Sequence, residues 1–339
     1  MHTEDIKIIK EHEMKCLICN EKERLNFFDN YKLEVKTDQK YFDNLKIYNC
    51  KNCDFSFVHP MPDENKLNYF YKNVYRSLNR PHFMGLDKEE IKKFYLQDKN
   101  LNYLLYLTTF LNFNNINSVF DFGAGIGDLG YLLKKNFPHL KLYCSESDEY
   151  SKKILEDRGY INYENLDHVD KKFDLIISLH SLEHLTNIET IFKFPKLLNN
   201  NGFLFFEVPN CPTKTYYINR PYDCPHLLFF TEKSIEIISK KMSLRFINFS
   251  SSSYSYEDDF KFQKESKNIY HNWESSNLNY LNLKTYLKKI TPKFILKLRR
   301  NLIKYKTLND EKRYKWFVNN SNDNCYLRGI LTNSTKENI

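Results

Sequence analysis

Three groups of residues are spaced as chemistry would require. The first is Asp121-Phe122-Gly123-Ala124-Gly125-Ile126-Gly127. With only 8 glycines in 339 residues, three alternating ones are a signal rather than an accident of composition. Glycine lacks a Cβ, so the turn can be tight and a ligand can lie against the backbone. The acid at the head of the loop decides which ligand. A carboxylate at Asp121 repels a pyrophosphate but can hold an ammonium, so a sulfonium carrying an amino-acid ammonium suits the loop better than a dinucleotide. About twenty residues on, a second acid belongs where a ribose is held. Glu146, in Cys144-Ser145-Glu146, is the first choice and Asp148 the fallback.

The second group is Cys16-Leu17-Ile18-Cys19 with Cys50-Lys51-Asn52-Cys53. Each Cys-x-x-Cys knuckle can aim two thiolates at one ion, and two knuckles close a tetrahedral zinc site. Four thiolates leave no open position for water, so Zn2+ here would be structural, standing in for a core that so short a segment cannot supply. The competing readings are a redox dithiol or unrelated buried cysteines. Cys144, Cys211, Cys224 and Cys325 lack such pairing and read as buried hydrophobes.

The third group is His180, Glu183 and His184. On a helix, i, i+3 and i, i+4 spacing would put them on one face. The chemistry would be a base held by a carboxylate, or a divalent metal site. The blander reading is that Glu183 and His184 tie down a loop. The His-x-x-Glu-His string also matches an inverted zinc-protease signature, but it ends a buried strand beside the glycine loop, which excludes that reading. Asp223 and His226 form a further pair, with a loop-bonding role for His226 as the plain alternative.

The elements that must position these groups alternate. Ser118-Val119-Phe120-Asp121-Phe122 reads as a buried strand. Leu129, Leu132, Leu133 and Phe137 follow at helical spacing, stopped by Pro138. A second strand ends at Cys144, and Gly159 can cap the helix containing Ile154 and Leu155. A third strand covers Phe173-Asp174-Leu175-Ile176-Ile177-Ser178-Leu179. A helix over 187–198 leads to an Asn199-Asn200-Asn201-Gly202 turn and a strand over 203–208, closed by Pro209. Thr231 can cap the next helix, and strands over 244–249 and 325–331 finish the sheet. Strands alternating with helices imply a doubly wound parallel sheet, with ligands beyond the carboxyl ends of its strands. Residues 64–113 read as helical. The expected division is a zinc-binding module at 1–62, a helical linker or cap at 63–113, and one α/β domain at 114–339 interrupted by a basic helical insertion at about 256–322.

With these residues in place, the chain resembles class I S-adenosylmethionine-dependent methyltransferases over about 116–250 and again near 325–331. The resemblance is closest to the branch carrying Ser181-Leu182-Glu183-His184-Leu185, then Glu207-Val208-Pro209-Asn210 and His226-Leu227-Leu228-Phe229-Phe230-Thr231. It implies a Rossmann-like, mostly parallel sheet with an antiparallel last strand. It also implies that Asp121, Gly123, Gly125 and Glu146, in a loop completed by Ala124 and Gly127, bind S-adenosylmethionine. Ser178, Leu179 and His180 would flank the transferable methyl, and Asn165 or Leu166 would meet the adenine. The amino-terminal cysteines, Asp54-Phe55-Ser56-Phe57, Pro60-Met61-Pro62 and Leu67-Asn68-Tyr69-Phe70-Tyr71 are similar to the start of bacterial sugar and surface-polysaccharide methyltransferases. That implies a hydroxyl acceptor on a sugar, nucleotide sugar or glycan precursor, with His180, Glu183, His184 and His226 as catalytic candidates.

Charge bounds the partners. The net charge is +8, yet residues 261–339 alone hold 17 Lys and Arg against 6 Asp and Glu, so the remainder is net negative. Nucleic acid is not the expected partner, because the basic charge is not spread over the presumed active face and no base-stacking motif is present. The rival functions are an RNA methyltransferase using the zinc module, and a non-catalytic zinc-containing binding protein on the same fold. Around Thr291-Pro292, Ile295, Leu298, Leu302 and Tyr305 form one stripe ringed by Lys and Arg. Such a helix suits an anionic membrane surface, a phosphorylated substrate, or packing on the domain as a lid. The charged start and the lack of a long apolar run lead us to expect a cytoplasmic protein.

Overall fold

The computed structural model describes residues 14–31, 41–74, 95, 98–211, 225–252 and 326–335. Asp223, Cys224, Cys325 and the expected basic helix near 292–306 lie outside them.

In chain order, β1 (Leu25–Asn30), β2 (Lys46–Cys50) and β3 (Phe55–His59) form an antiparallel meander. Helix α1 (Glu64–Asn73) and, after residues not described, α2 (Asp98–Phe110) follow. Then come β4 (Ser118–Phe122), α3 (Asp128–Asn136), β5 (Lys141–Ser145), α4 (Glu149–Asp157), β6 (Tyr160–Asn162), β7 (Phe173–Leu179), the short α5 (Phe194–Leu197) and β8 (Leu198–Pro209). The rest is β9 (Leu228–Phe229), α6 (Glu232–Lys241), β10 (Arg245–Ser252) and β11 (Tyr326–Thr332).

Seven strands form one sheet in the order β10-β11-β8-β7-β4-β5-β6. The pairs β4–β5, β4–β7, β5–β6 and β7–β8 are parallel, whereas β11 is antiparallel to both β8 and β10. This is the doubly wound dinucleotide-fold order with one antiparallel strand slid in beside the fifth. Chain order reverses at β4, so a crevice opens above the carboxyl ends of β4 and β7, where the glycine loop and the 180–184 turn leave the sheet.

The central strands read as apolar runs because both faces are covered. Successive residues alternate between the two cores. Val119, Leu175, Ile177 and Phe205 pack with Tyr103, Leu107, Leu129 and Leu133 on one side. Phe120, Phe173, Ile176, Leu204 and Phe206 pack on the other. That second core also contains Cys16, Ile18, Cys50, Cys53, Phe55 and Phe57. The amino-terminal meander therefore shares its hydrophobic interior with the large sheet. Its edge is supplied from far along the chain, by β9 pairing antiparallel with β3 (Ser56 opposite Phe229). Thr231 Oγ1 donates to the Asp54 carbonyl at 3.1 Å, and Lys241 donates to the Ile18 carbonyl.

Two local expectations need correction. The helix expected over 187–198 is a 3-10 turn at Ile188–Lys193 running into α5, only four residues long. The expected Asn199–Gly202 turn lies within β8, whose register against β7 jumps from Leu198 opposite Phe173 to Phe203 opposite Leu175. Asn201 takes a left-handed φ of 62°, so the four residues bulge out without ending the strand. Thr231 does cap α6, in a reciprocal capping box with Ser234.

At Gly127 the backbone itself demands glycine. Its φ is +71°, and a Cβ there would stand 2.5 Å from Leu155 Cδ2 and 2.7 Å from Tyr160 Cε2. Left-handed strain and overpacking together predict that Gly127→Ala lowers stability by about 2 kcal/mol. Urea denaturation checks this, and an unchanged midpoint would refute it.

Candidate functional site

Asp121 occupies the last turn of β4 and is 5% exposed. Burial, then the charges of Glu146 and Asp128, push its carboxyl up to about 7. Carboxylates thus converge here, and Asp128 already has a partner in Arg158 at 2.6 Å. The chain leaves Asp121 through Gly123 and Gly125, both at positive φ. A Cβ on Gly123 would collide with Ser181 Oγ at 2.2 Å, but one on Gly125 would meet nothing within 4 Å. Open space therefore lies over the backbone at Gly125, while Gly123 is closed by the turn that follows β7. Ala124 is half-buried, and its carbonyl accepts from the Gly127 N–H at 2.8 Å, which closes the loop.

Glu146 follows β5 and turns back onto this loop. Its Oε2 accepts from the Gly125 N–H at 2.7 Å, and its Oε1 accepts from the N–H groups of Ser147 (2.8 Å) and Asp148 (2.9 Å). Asn162, at the end of β6, clasps the Glu146 backbone from both sides: its Oδ1 accepts from the N–H and its Nδ2 donates to the carbonyl. Sequence reading missed Asn162, although its place at the end of the strand beside β5 was the available signal. Asp148, the fallback, is engaged elsewhere, capping α4 by accepting from Ser151 N–H at 2.8 Å. Asn165 is exposed and caps a 3-10 turn, with its Oδ1 accepting from Asp167 N–H at 3.0 Å, while Leu166 is buried in the core. Ser178 is fully buried, and its hydroxyl has no hydrogen-bond partner among the described residues.

The histidine cluster begins immediately after β7. The helical face expected for His180, Glu183 and His184 is not formed. His180 adopts a left-handed φ of 51°, and only Leu182–His184 make a single 3-10 turn. Ser181 Oγ donates to the Gly123 carbonyl at 3.3 Å, joining this turn to the glycine loop. His180 stands between two carboxylates, with Nε2 2.9 Å from Glu207 and Nδ1 3.4 Å from Glu183. Burial and Lys99 depress its pKa, but the two carboxylates outweigh them and the net shift is upward. Each of its ring nitrogens thus faces a carboxylate. Glu207 is fully buried and also receives Arg328 Nε at 2.6 Å and the Tyr103 hydroxyl. Burial opposes its ionisation, yet Arg328 and His180 drive its pKa far down. Glu207, Arg328 and Tyr103 were not anticipated as a network, since each reads locally as strand or helix interior.

His184 and His226, distant in sequence, meet with ring centroids 4.9 Å apart. His184 Nδ1 lies 3.0 Å from the Tyr71 hydroxyl and 3.2 Å from the Pro225 carbonyl. Burial, then the neighbouring His184, holds the His226 pKa down to about 3, so its imidazole is neutral at ordinary pH. Burial opposes ionisation of Glu183, but His180 and His184 beside it bring its pKa to about 2.

The family model for a methyltransferase domain matches residues 91–244, the stretch carrying the glycine loop, Glu146 and the 180–184 turn. Over that stretch the chain is similar to a methyltransferase domain. S-adenosylmethionine is the methyl donor that this fold family implies. Among solved structures, an S-adenosylmethionine-dependent methyltransferase from Archaeoglobus fulgidus is 15% identical with a TM-score of 0.43, over 73% of this chain and 100% of that one. Magnesium protoporphyrin IX methyltransferase from Synechocystis PCC 6803 is 15% identical with a TM-score of 0.42, over 56% and 94% of the two chains. The plantazolicin methyltransferase BamL is 12% identical with a TM-score of 0.42, over 78% and 95%. No curated protein matches the sequence.

On the amino-terminal side of the matched stretch, Cys16, Cys19, Cys50 and Cys53 bring their sulfurs within 4.8 Å of one another. Cys16 pairs with Cys53, and Cys19 with Cys50, each at 3.5 Å. That is far beyond a disulfide bond of ~2 Å. It is close to the roughly 3.8 Å edge of a tetrahedron with metal–sulfur bonds of about 2.3 Å. The hydrogen bond from Cys53 lowers the Cys16 pKa to about 5, while burial raises that of Cys50 to about 12. One thiolate is thus stable and a second is opposed; only a cation could hold all four ionised.

No helix among the described residues is long and apolar enough to cross a membrane.

Proposed function

We propose that this chain transfers the methyl group of S-adenosylmethionine to a hydroxyl of a sugar, nucleotide sugar or related glycan precursor. The observation that carries the donor half is Asp121, a buried carboxyl beside other carboxylates under the open space at Gly125. Such a site attracts a cation and disfavours a pyrophosphate. Asp121 would hold the donor's ammonium, the backbone at Gly125 would admit its body, and Glu146, oriented by Asn162, would accept the ribose hydroxyls. When bound, the donor supplies an electrophilic methyl on a sulfonium.

The acceptor half rests on the half-buried histidines and the buried carboxylates beside them. The 180–184 turn is hydrogen-bonded to the glycine loop through Ser181. A hydroxyl must lose a proton as it is methylated, whereas an already nucleophilic carbon or amine need not recruit such a group. His184, oriented at Nδ1 by the Tyr71 hydroxyl and the Pro225 carbonyl, would receive the acceptor's proton. His180, held between Glu183 and Glu207, keeps that carboxylate pair in place. In the same reading the four cysteines would hold one structural zinc ion, a role supported by their spacing and burial.

The test is a panel of nucleotide sugars incubated with isotopically labelled donor and read by mass. Methylation of at least one hydroxylated acceptor is expected. Donor binding without transfer to any of them would refute the sugar assignment. His184→Ala should lower kcat by about a hundredfold or more, the usual weight of a proton-transfer group. His180→Ala should lower Tm more than it lowers kcat. Full turnover in correctly folded His184→Ala would remove His184 from the mechanism.

A further inference from the structure

Beneath the turn after β7, one buried carboxylate accepts no side-chain hydrogen bond among the described residues. Glu183 is 1% exposed, and neither side-chain oxygen has a hydrogen-bond partner among the described residues. His180 Nδ1, at 3.4 Å, is near enough to attract it but makes no hydrogen bond with it. Stripping an ionised carboxylate of water costs several kcal/mol unless another charge or an ion compensates. Two further imidazoles lie beside it. One oxygen of Glu183 and one nitrogen each from His184 and His226 lie within 4.8 Å of one another.

The surroundings hold these three groups in place. The Leu227 N–H donates to the Glu183 carbonyl at 2.7 Å, so the residue after His226 is pinned to the residue before His184. His184 Nδ1 is held by the Tyr71 hydroxyl at 3.0 Å and the Pro225 carbonyl at 3.2 Å, which fixes the ring. Fixing one ring nitrogen on a carbonyl so that the other can bind is the outer-shell arrangement typical of metal-ligating histidines. Donors bound at ~2.0–2.2 Å to one first-row ion stand roughly 3–4 Å from one another, within the 4.8 Å that bounds this set.

We propose that Glu183, His184 and His226 form a second metal site, distinct from the cysteine cluster, that takes a divalent first-row transition cation. Two imidazoles and a carboxylate favour zinc or iron over magnesium or calcium. Three ligands leave at least one position open, in contrast to the closed cysteine set. The binding claim stands by itself, while its role rests on the methyl-transfer reading. The open position is suited to the acceptor's hydroxyl, which ionises more readily on such an ion. Its proton passes to bulk water; the new C–O bond forms as the C–S bond breaks, and that electron pair stays on sulfur.

Loss of activity in His184→Ala cannot separate a base from a ligand, but metal content can. The full-length chain, stripped of metal, is titrated with Co2+ alone. A cobalt ion on the cysteines gives intense thiolate charge-transfer bands. The second site should add an equivalent with only the weak bands of a nitrogen–oxygen set. In Glu183→Gln and in His226→Ala, the affinity for that equivalent should fall by more than about a hundredfold, with the thiolate bands at full strength as a check on folding. A wild type that binds cobalt only with thiolate bands would overturn the proposal. So would an equivalent that persists undiminished in both variants. Calorimetry with S-adenosylmethionine separates the two readings: failure to bind the donor removes methyl transfer and leaves the metal site standing, whereas donor binding without the second cobalt removes only the metal site.

Discussion

Asp121→Asn is expected to weaken S-adenosylmethionine binding by about a thousandfold. The change is nearly isosteric, so the loop should keep its shape, and what is lost is the buried carboxylate proposed to face the ligand's ammonium. Removing one member of a buried, hydrogen-bonded charge pair costs about 4 kcal/mol, and each 1.4 kcal/mol is a factor of ten. A pH effect accompanies it. In the free protein the Asp121 carboxyl titrates near 7, because it is buried and faces Glu146 and Asp128. Above that pH it is a carboxylate and binds a cation without further cost. Below it, a proton must leave before the cation can enter. Affinity should therefore be level above about pH 7 and fall by roughly tenfold per unit below it. In Asp121→Asn the slope should vanish. Calorimetric titration of both proteins from pH 5.5 to 8 measures this, and equal affinities, or a slope that survives the substitution, would dispose of the assignment.

Cys53→Ser should unfold the amino-terminal module and take methyl transfer with it. The substitution opens the four-sulfur set at a fully buried position. The free energy of filling a structural zinc site is about 10–16 kcal/mol and is folding free energy, far more than so small a meander can replace. The damage should not stay local. The Val58 N–H donates to the Leu227 carbonyl at 2.9 Å, and the Leu227 N–H donates to the Glu183 carbonyl. Loss of β3 thus frees the segment bearing His226 and loosens the turn bearing His184. Turnover should fall by at least about tenfold, whereas donor affinity, set at β4 and β5, should change little. Limited proteolysis should show new cleavage within residues 14–59, and a strong chelator should reproduce the effect on the wild type. A Cys53→Ser protein as stable and as active as the wild type would mean that the cysteines hold no structural metal.

Much of the geometry of the proposed donor site was legible in the sequence. Asp121, the glycines and Glu146 belong to one strand–turn–helix–strand unit, in which each position follows from its neighbours. Positive φ at Gly123, Gly125 and Gly127 is a property of the turn itself. Asn165 was named from the resemblance, and in the fold its Oδ1 accepts from the Asp167 N–H. The histidines were legible as residues but not as an arrangement. The expected helical face failed because His180 turns left-handed to present both ring nitrogens to carboxylates, and one of those, Glu207, comes from the next strand.

By itself, the amino-acid order determined the doubly wound sheet, the glycine cradle and the paired cysteine knuckles, because periodicity and short-range spacing specify each of them. Only the tertiary structure decided the rest. Arg328 reaches Glu207 across 121 residues, and Tyr71 reaches His184 across 113. Likewise β9 closes a sheet begun by β1, and His226 arrives beside Glu183. A buried charge is satisfied by whichever group the packing delivers, and nothing local to Glu207 or Glu183 names that partner among the many acids and bases of the chain.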